Sequence, residues 1–491
     1  MSGGNGASGA TEGDGVNGGN ASGGDVGNAG ASGEVVAGEP VALPPGSREV
    51  SGVVNLVDAD AAQELETFLT VEQPVFITRR HDLARSFNLF VESYLEEYDF
   101  IFFYTDHWVE GAYAAGIHQA VNRRAEPGGT SELEIALGGY RTDGRTRAVL
   151  AMNYDVGFYG PMAHEIMHQW GANLDDRFGF GAALDQDYGA HWGFSSVNGQ
   201  LGGFDGSTLR CQTPADSAPP CKKLTNGRTR YVVGDFAPST NVYRGVPYSP
   251  LELYLAGLAP ATEVPEEFQV LTEAAVVNPE AVGTGQDIVV EASGIKTVTF
   301  AEIQARHGRK ALLPTKDRAF RAAFVIISET PASDEVMEDV ARIAAVFGNR
   351  ETFANWESFE TIASGRATLD TRLGQRRDTA TPPPAERELF ECDAVAQDCG
   401  RPELGCHIWP PAFCALSGSV PLDQPCDAAF ECAPGLDCVS SAAAPTVYVC
   451  KPYCDPTDNM SPKACTTLCP GSFAQYLSEA GDSIGGLCYP D

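Results

Sequence analysis

The chain has 491 residues, enough for two or three domains with at least one sizeable hydrophobic core. It carries 33 basic and 66 acidic residues, and the formal net charge of -33 repels phosphate backbones and anionic lipid. We therefore expect no nucleic-acid or membrane-surface partner, and no apolar run is long enough to predict a membrane span.

The amino-terminal segment, residues 1–46, is rich in Gly, Ser, Asn and Ala, and the first aromatic residue is Phe68. Such a segment buries too little apolar surface to offset its ordering entropy, so it is predicted to be a flexible tether. It begins MSGGNGASG, without a basic region followed by an apolar one. Because the cysteine pattern described below indicates export, we expect an export signal upstream of this start.

Predicted strands and helices alternate from residue 47 to residue 375. Short apolar runs predict strands at VVNLV (53–57), PVFIT (74–78), DFIFFYT (99–105), AVLAMNY (148–154) and RAAFVIIS (321–328). Helices are predicted at residues 81–98, at residues 299–308, and in the segment after residue 328 through about Arg366. This alternation predicts one α/β or α+β domain over residues 47–375.

The 14 cysteines are unevenly distributed along the chain. Cys211 and Cys221 enclose a short loop, and twelve more lie between Cys392 and Cys488. An even number in a short segment is typical of a disulfide framework, which persists in an oxidising compartment. We predict a Pro-rich linker at residues 376–388 and a disulfide-rich module at residues 389–491. Disulfides are favoured over structural zinc because paired Cys-x-x-Cys spacings are missing.

The segment PMAHEIMHQWG (161–171) is predicted to form a helix with Pro161 at its start and Gly171 at its end. At 100° per residue, His164 and His168 lie one above the other on one face. The opposite face is apolar and is expected to pack into the core; it consists of Met162, Ile166 and Trp170. Two imidazoles at this spacing can chelate one metal ion, although an ordinary helix can also carry the pattern by chance.

Glu165 is displaced about 100° around this helix from His164, so its carboxylate is expected beside the ion. A zinc ion acidifies water and polarises a carbonyl group. A carboxylate in that position takes a proton from the attacking water and passes it to the leaving amine. Glu165 is therefore the candidate general base of a peptidase.

A catalytic zinc ion usually has three protein ligands and one open position, and the residues alone leave the third ligand open. His191, in the glycine-flanked segment GAHWGFSS (189–196), is favoured because a third nitrogen would complete an N₃ site. The alternatives are carboxylates: Asp185 or Asp187, and Asp175 or Asp176.

Four segments in this order resemble a group of secreted bacterial zinc metallopeptidases: HEIMHQW (164–170), HWGFSS (191–196), YSPLELYLAGLAPATEVP (248–265) and ARHGR (305–309). The likeness covers roughly residues 150–330. It implies a zincin-like α/β fold, with His164, His168 and His191 as Zn²⁺ ligands and Glu165 as the base. Relatives tend to carry Met where this chain has Ala256, so the resemblance does not extend to a methionine turn.

Other polar residues are interpreted as ordinary packing or surface residues. Tyr188, Tyr248 and Tyr254 are each candidate oxyanion donors, but we favour packing roles for them. The remaining histidines lack ligand spacing: His81, His107, His118, His307 and His407. Asp185 and Asp187 could hold calcium, but no complete EF-hand loop surrounds them.

The sequence thus predicts an extracellular or cell-surface zinc endopeptidase that acts on a protein or peptide substrate. Its cysteine-rich module is expected to bind a surface, a polymer or a partner, or to protect the enzyme from proteolysis. The competing hypothesis is a non-catalytic surface or adhesion protein with a degenerate zincin scaffold, against which the intact Glu165 argues. A third hypothesis is hydrolysis of a non-peptide amide or ester. The sequence does not predict the cleavage preference or the oligomeric state.

Overall fold

The computed structural model describes the following residues: 39–70, 83–112, 116–121, 140–154, 161–171, 191–213, 217–237, 246–282, 286–307, 310–354, 356–385, 404–407, 413–416, 421–424, 426, 432–441, 444–454, 472–477 and 483–489. The helices are α1 (Ala59–Thr70), α2 (Ala84–Ser93), α3 (Met162–Gly171), α4 (Pro250–Leu255), α5 (Phe300–His307), α6 (Asp334–Phe347) and α7 (Phe359–Ile362). Single 3₁₀ turns lie at Ala261–Glu263, Pro279–Ala281 and Thr315–Arg318.

The strands are β1 (Arg48–Val50), β2 (Val53–Val57), β3 (Phe100–Thr105), β4 (Gly116–Ala120), β5 (Ala148–Met152), β6 (Gly203–Cys211), β7 (Thr229–Ala237), β8 (Glu267–Thr272), β9 (Ala275–Val276), β10 (Ile288–Ala292), β11 (Gly294–Thr299), β12 (Ala319–Ser328), β13 (Thr368–Asp370), β14 (Leu404–His407), β15 (Phe413–Leu416), β16 (Leu436–Ser441), β17 (Ala444–Cys454), β18 (Ser472–Leu477) and β19 (Ser483–Tyr489).

A seven-stranded sheet organises the first part of the chain, in the order β1-β2-β12-β3-β5-β4 with β13 beside β12. Strands β2, β12, β3 and β5 are parallel, whereas β1 and β4 run antiparallel to their neighbours. Every residue of β3 is buried, as expected for a parallel strand with both faces covered.

Successive residues of the central strands alternate between two cores, one on each face of this sheet. Phe100 and Phe102 of β3 pack with α3 and α6, through residues such as Ile166 and Met337. Their neighbour Ile101 faces the opposite way and packs with α1 and α2. The period of two in β3 therefore explains why one strand serves two helical layers. Helix α3 follows the carboxyl end of β5 and lies against the first of these cores.

A second, antiparallel region is built from the sheet β6-β7-β10-β9 and the hairpin β8–β11. It has a small core of its own, which includes Phe194, Phe204 and Leu271. The disulfide Cys211–Cys221 closes the loop after β6, confirming the predicted pairing. Segment 191–202 adjoins this region through main-chain bonds such as Ser196 N–H to Gln269 O.

The described parts of the carboxyl-terminal segment are short strands linked by disulfides. Strands β14 and β15 pair, and β16, β17, β19 and β18 form a four-stranded sheet. Cys432 and Cys450 form a disulfide, and Cys426 and Cys454 are also disulfide-bonded. The prediction of disulfides is confirmed for these four cysteines. No helix in the described residues combines the length and apolarity needed to cross a bilayer.

Several predicted elements are confirmed and two need correction. Strands β2, β3, β5 and β12 and helix α5 occur where the apolar patterns placed them; the predicted strand at 74–78 lies outside the described residues. The predicted helix over 81–98 ends at Ser93, because Tyr94 turns to extended backbone and pairs with Arg376. The predicted helical segment ending near Arg366 is broken, since α6 ends at Phe347 and only α7 follows.

Residues just outside the two predicted boundaries of the domain over residues 47–375 contact each other. Pro40 pairs with Asp378 in an isolated bridge. The buried Arg377 donates to the carbonyl oxygens of Val91, Tyr94 and Pro382. The beginning of the Pro-rich segment therefore packs against helix α2.

Candidate metal centre

Helix α3 carries the His-Glu-x-x-His motif and is held against the sheet by its apolar face. Met162, Ile166 and Trp170 are buried in the core, as the helical spacing predicts. Pro161 directly precedes the helix, and its carbonyl accepts the first bond, from Glu165 N–H. The ring of Trp170 packs edge-on against Phe100 of strand β3. The helix is thus anchored by its apolar face, and the two histidines lie on a different face of the same helix.

Three histidine side chains from two separate segments converge next to this helix. The Nε2 atom of His164 lies 3.0 Å from Nε2 of His168 and 3.2 Å from Nε2 of His191. One nitrogen from each ring lies within 4.8 Å of the other two. His164 is 4% exposed, whereas His191 is half-buried.

This arrangement fits a tetrahedral metal ion. Zn–N bonds of about 2.0–2.1 Å in a tetrahedral site imply ligand nitrogens about 3.3 Å apart, close to the observed separations. The His164 Nδ1–H donates to the carbonyl of Gln200 at 2.8 Å, which leaves the Nε2 lone pair for a cation. Burial, reinforced by the neighbouring His191, lowers the pKa of His164 to about 3. Burial also places the pKa of His168 well below its usual value, so both rings are neutral at neutral pH.

The side chain of Glu165, which follows His164 in the sequence, packs against the antiparallel strand β4. Its carboxylate accepts a hydrogen bond from the main-chain N–H of His118, and it is 5% exposed. A methyl group at Gly116 would lie 3.1 Å from Oε1 of Glu165, so β4 approaches closely because this position has no side chain. Burial raises the pKa of Glu165 to about 8, against the opposing effect of the His118 N–H. At neutral pH the carboxyl of the metal-free protein is therefore largely protonated, and a cation bound nearby would favour the carboxylate form that a general base needs.

The structure brings His191 to His164 and His168, as the favoured sequence hypothesis expected. The rival carboxylates Asp175, Asp176, Asp185 and Asp187 all lie outside the described residues. Among the described residues, this is the only cluster containing histidine that could hold an ion; a second cluster consists of the disulfide-bonded Cys426, Cys432 and Cys450.

The sequence analysis missed Glu252, which orders the segment carrying His191. Glu252 is completely buried at the start of helix α4. Its carboxylate accepts hydrogen bonds from Trp192 Nε1, Leu201 N and Gln200 N at 2.7, 2.8 and 3.0 Å. It also accepts one from Ser249 N at 2.8 Å, in a capping box. The sequence signal was Ser-x-x-Glu at a helix start, which predicts the cap but not the other three bonds.

His118 was interpreted as ordinary, yet it lies near the cluster on strand β4. Its Nε2 atom is 3.2 Å from Oε1 of Gln169, and its ring centroid is 6.3 Å from that of His168. His107 follows strand β3 and pairs with Asp106 on an exposed loop. His81 lies outside the described residues.

The candidate oxyanion tyrosines that are described have structural partners. The hydroxyl of Tyr248 donates to the carbonyl of Ala163 at 2.7 Å. The hydroxyl of Tyr254 accepts from Gln304 Nε2 and from Lys310 N. Both therefore link segments of the fold, as the packing interpretation expected, while Tyr188 lies outside the described residues.

Comparison of the chain with protein-family models, with curated proteins and with solved structures gave no significant match.

Proposed function

We propose that this protein is a zinc-dependent endopeptidase with a zincin-like catalytic domain. The observation that carries the proposal is the convergence of three Nε2 atoms from helix α3 and the 191–202 segment. His164, His168 and His191 would hold the ion, and Glu165 lies one residue from the first of them. The burial of His164, the neutral rings of His164 and His168, and the nitrogen spacing all fit a zinc site.

In this proposal a bound zinc ion supplies positive charge that polarises a carbonyl group and acidifies water. Glu165 holds the attacking water and takes its proton. The carboxyl then gives that proton to the leaving amine as the C–N bond breaks, which restores the carboxylate. Strand β4, through its Gly116 and the His118 N–H, keeps Glu165 next to the histidine cluster.

The proposed peptide substrate would lie near strand β4, which is the outermost strand of the sheet among the described residues and contacts helix α3. The disulfides support an extracellular or cell-surface location, where the cysteine-rich module would bind a surface, a polymer or a partner.

The test measures zinc content and peptide cleavage for the wild type, Glu165→Gln and His191→Ala. The proposal predicts one zinc per wild-type chain and cleavage of casein or quenched peptides. Glu165→Gln should keep the zinc but lose about 10²–10⁴-fold in kcat, because only the proton transfer is removed. His191→Ala should lose zinc affinity.

The other outcomes select the rival hypotheses. Wild-type protein purified without chelator and free of zinc would favour the non-catalytic surface or adhesion protein. Zinc-loaded protein that hydrolyses esters or small amides, but no peptide, would favour the non-peptide hydrolase.

A further inference from the structure

Glu252 lies apart from the histidines, but its hydrogen bonds reach the segments that place two of them. Trp192, whose indole N–H donates to Glu252, is the residue directly after His191. Gln200, whose main-chain N–H also donates to Glu252, accepts the Nδ1–H of His164 through its carbonyl oxygen. The Glu252 carboxylate therefore bonds to the neighbour of His191 at one end of the 191–201 segment and to Gln200, the partner of His164, at the other.

Helix capping alone does not account for this side chain. A capping box needs only the bond from Ser249 N, which is one of the four that Glu252 accepts. The other three come from Trp192, Gln200 and Leu201, which precede it by 51 to 60 residues. All four donors are uncharged N–H groups, and a carboxylate without exposure needs all of them to offset its lost hydration.

The chain also makes room for this contact. A methyl group at Gly199 would collide with the Glu252 carboxylate, so the main chain of the segment lies directly against it. On the side that faces helix α3, the segment is equally close: a methyl group at Gly171 of that helix would lie 2.5 Å from Leu201 and 3.4 Å from Trp192. Helix α3, the 191–201 segment and Glu252 thus pack as successive layers.

We infer that Glu252 is a positioning residue that fixes His164 and His191 in their metal-binding orientation by anchoring both ends of the 191–201 segment. The inference rests on the proposed zinc site, but not on peptidase activity. In metal sites, residues that do not bind the ion but hold its ligands in place through hydrogen bonds set the orientation and tautomer of the ligand rings. Their loss typically weakens metal binding about 10–100-fold.

The experiment compares Glu252→Gln with Glu96→Gln in the full-length protein. Glu96 is a matched control because it is also buried and accepts bonds from Thr142 Oγ1, Asp143 N and Thr146 N. In Glu252→Gln, an amide nitrogen cannot accept the two N–H bonds that one carboxylate oxygen receives. Zinc affinity is measured by competition with a chelator, and the visible spectrum is recorded for protein saturated with cobalt(II).

We expect Glu252→Gln to weaken zinc binding about 10–100-fold and to change the cobalt spectrum at full loading. Glu96→Gln should leave the zinc affinity and the cobalt spectrum unchanged, whatever it does to the melting temperature. A folded Glu252→Gln with wild-type affinity and spectrum would overturn the inference. Should this variant fail to fold, Trp192→Phe removes one donor only, and unchanged affinity and spectrum there would overturn it too.

These readouts separate the inference from the proposed function. Zinc that binds more weakly to Glu252→Gln in a protein that cleaves no peptide supports the inference and contradicts the peptidase. A wild-type protein that binds neither zinc nor cobalt overturns both.

Discussion

Two buried carboxylates in different parts of this fold have the same kind of partners. Glu252 and Glu96 each accept main-chain N–H bonds, and burial raises the pKa of both carboxyls. Glu96 precedes strand β3 and bonds to the turn that leads into β5, at the amino ends of these strands. Glu252 bonds to the 191–201 segment, which reaches the histidines.

The two carboxylates differ in which residues their hydrogen-bond partners hold in place. The partners of Glu96 are Thr142, Asp143 and Thr146, which order a turn. The partners of Glu252 include the neighbour of one candidate ligand and the residue that orients another. Burial and a raised pKa are therefore shared by a structural carboxylate and a site-supporting one. Only the connection to the donor atoms distinguishes them.

The largest contrast between the two regions should come from His168→Ala. This substitution removes one of three nitrogen ligands, so we expect zinc affinity to fall at least about a thousandfold. Chelator competition measures the effect, and Glu96→Gln should show none of it. Wild-type zinc affinity in His168→Ala would show that this histidine of helix α3 is not a zinc ligand.

Gly199→Ala perturbs the 191–201 segment by adding a methyl group next to Glu252. The added methyl group collides with Glu252 and should displace the segment, at a cost of about 1–3 kcal/mol in the free energy of unfolding. Zinc affinity should fall about tenfold, because the Gln200 carbonyl moves away from His164. Gly294→Ala is the matched control, since its methyl group would lie 3.6 Å from Thr272 in ordinary contact. Equal zinc affinities in the two variants would show that the close contact between Gly199 and Glu252 does not position His164.

At the other carboxylate, Thr142→Val should reduce stability without changing metal binding. The variant removes the 2.6 Å bond from Thr142 Oγ1 to Glu96, and we expect a loss of about 1–2 kcal/mol. Denaturant unfolding measures this loss, and chelator competition checks the zinc affinity. A weaker zinc affinity would mean that the Glu96 region communicates with the histidines, which breaks the comparison.

The smallest effect concerns pH. Burial, reinforced by a side-chain hydrogen bond with Asp143 and opposed by the main-chain N–H bonds, raises the pKa of Glu96 above 4.5 in the folded state. The folded protein therefore holds this proton more tightly, and the resulting stabilisation is present below pH 4.5 and is lost as the pH rises above it. The free energy of unfolding of the wild type, relative to Glu96→Gln, should decrease as the pH is raised from 4.5 to 7. A difference that grows over this range would contradict the sign of the shift.

Sequence periodicity predicted those strands and helices whose burial follows from the pattern of consecutive residues along the chain. Strands β3 and β12 are continuous apolar runs, and helix α3 separates an apolar row from a histidine row. The strand order could not be predicted, because β12 lies between β2 and β3 although it follows both of them by more than 200 residues along the chain. Strand β4 is short and mixed in polarity, so no periodic signal marked it.

The candidate site divides in the same way. The spacing of His164 and His168 on one helix turn is local, so the sequence predicted their shared face. His191 was favoured from its glycine and tryptophan neighbours and from the family resemblance, while the carboxylate alternatives stayed open. Glu252 could not be recognised, because its role depends on main-chain donors that only the tertiary fold brings together.

The central claim is that three histidines bind one cation. Crystals of the full-length protein grown with zinc, measured by anomalous diffraction at the zinc edge, test it most directly. We predict a single peak about 2.0–2.1 Å from Nε2 of His164, His168 and His191. Zinc bound elsewhere on the chain, with no peak between these three rings, would contradict the account.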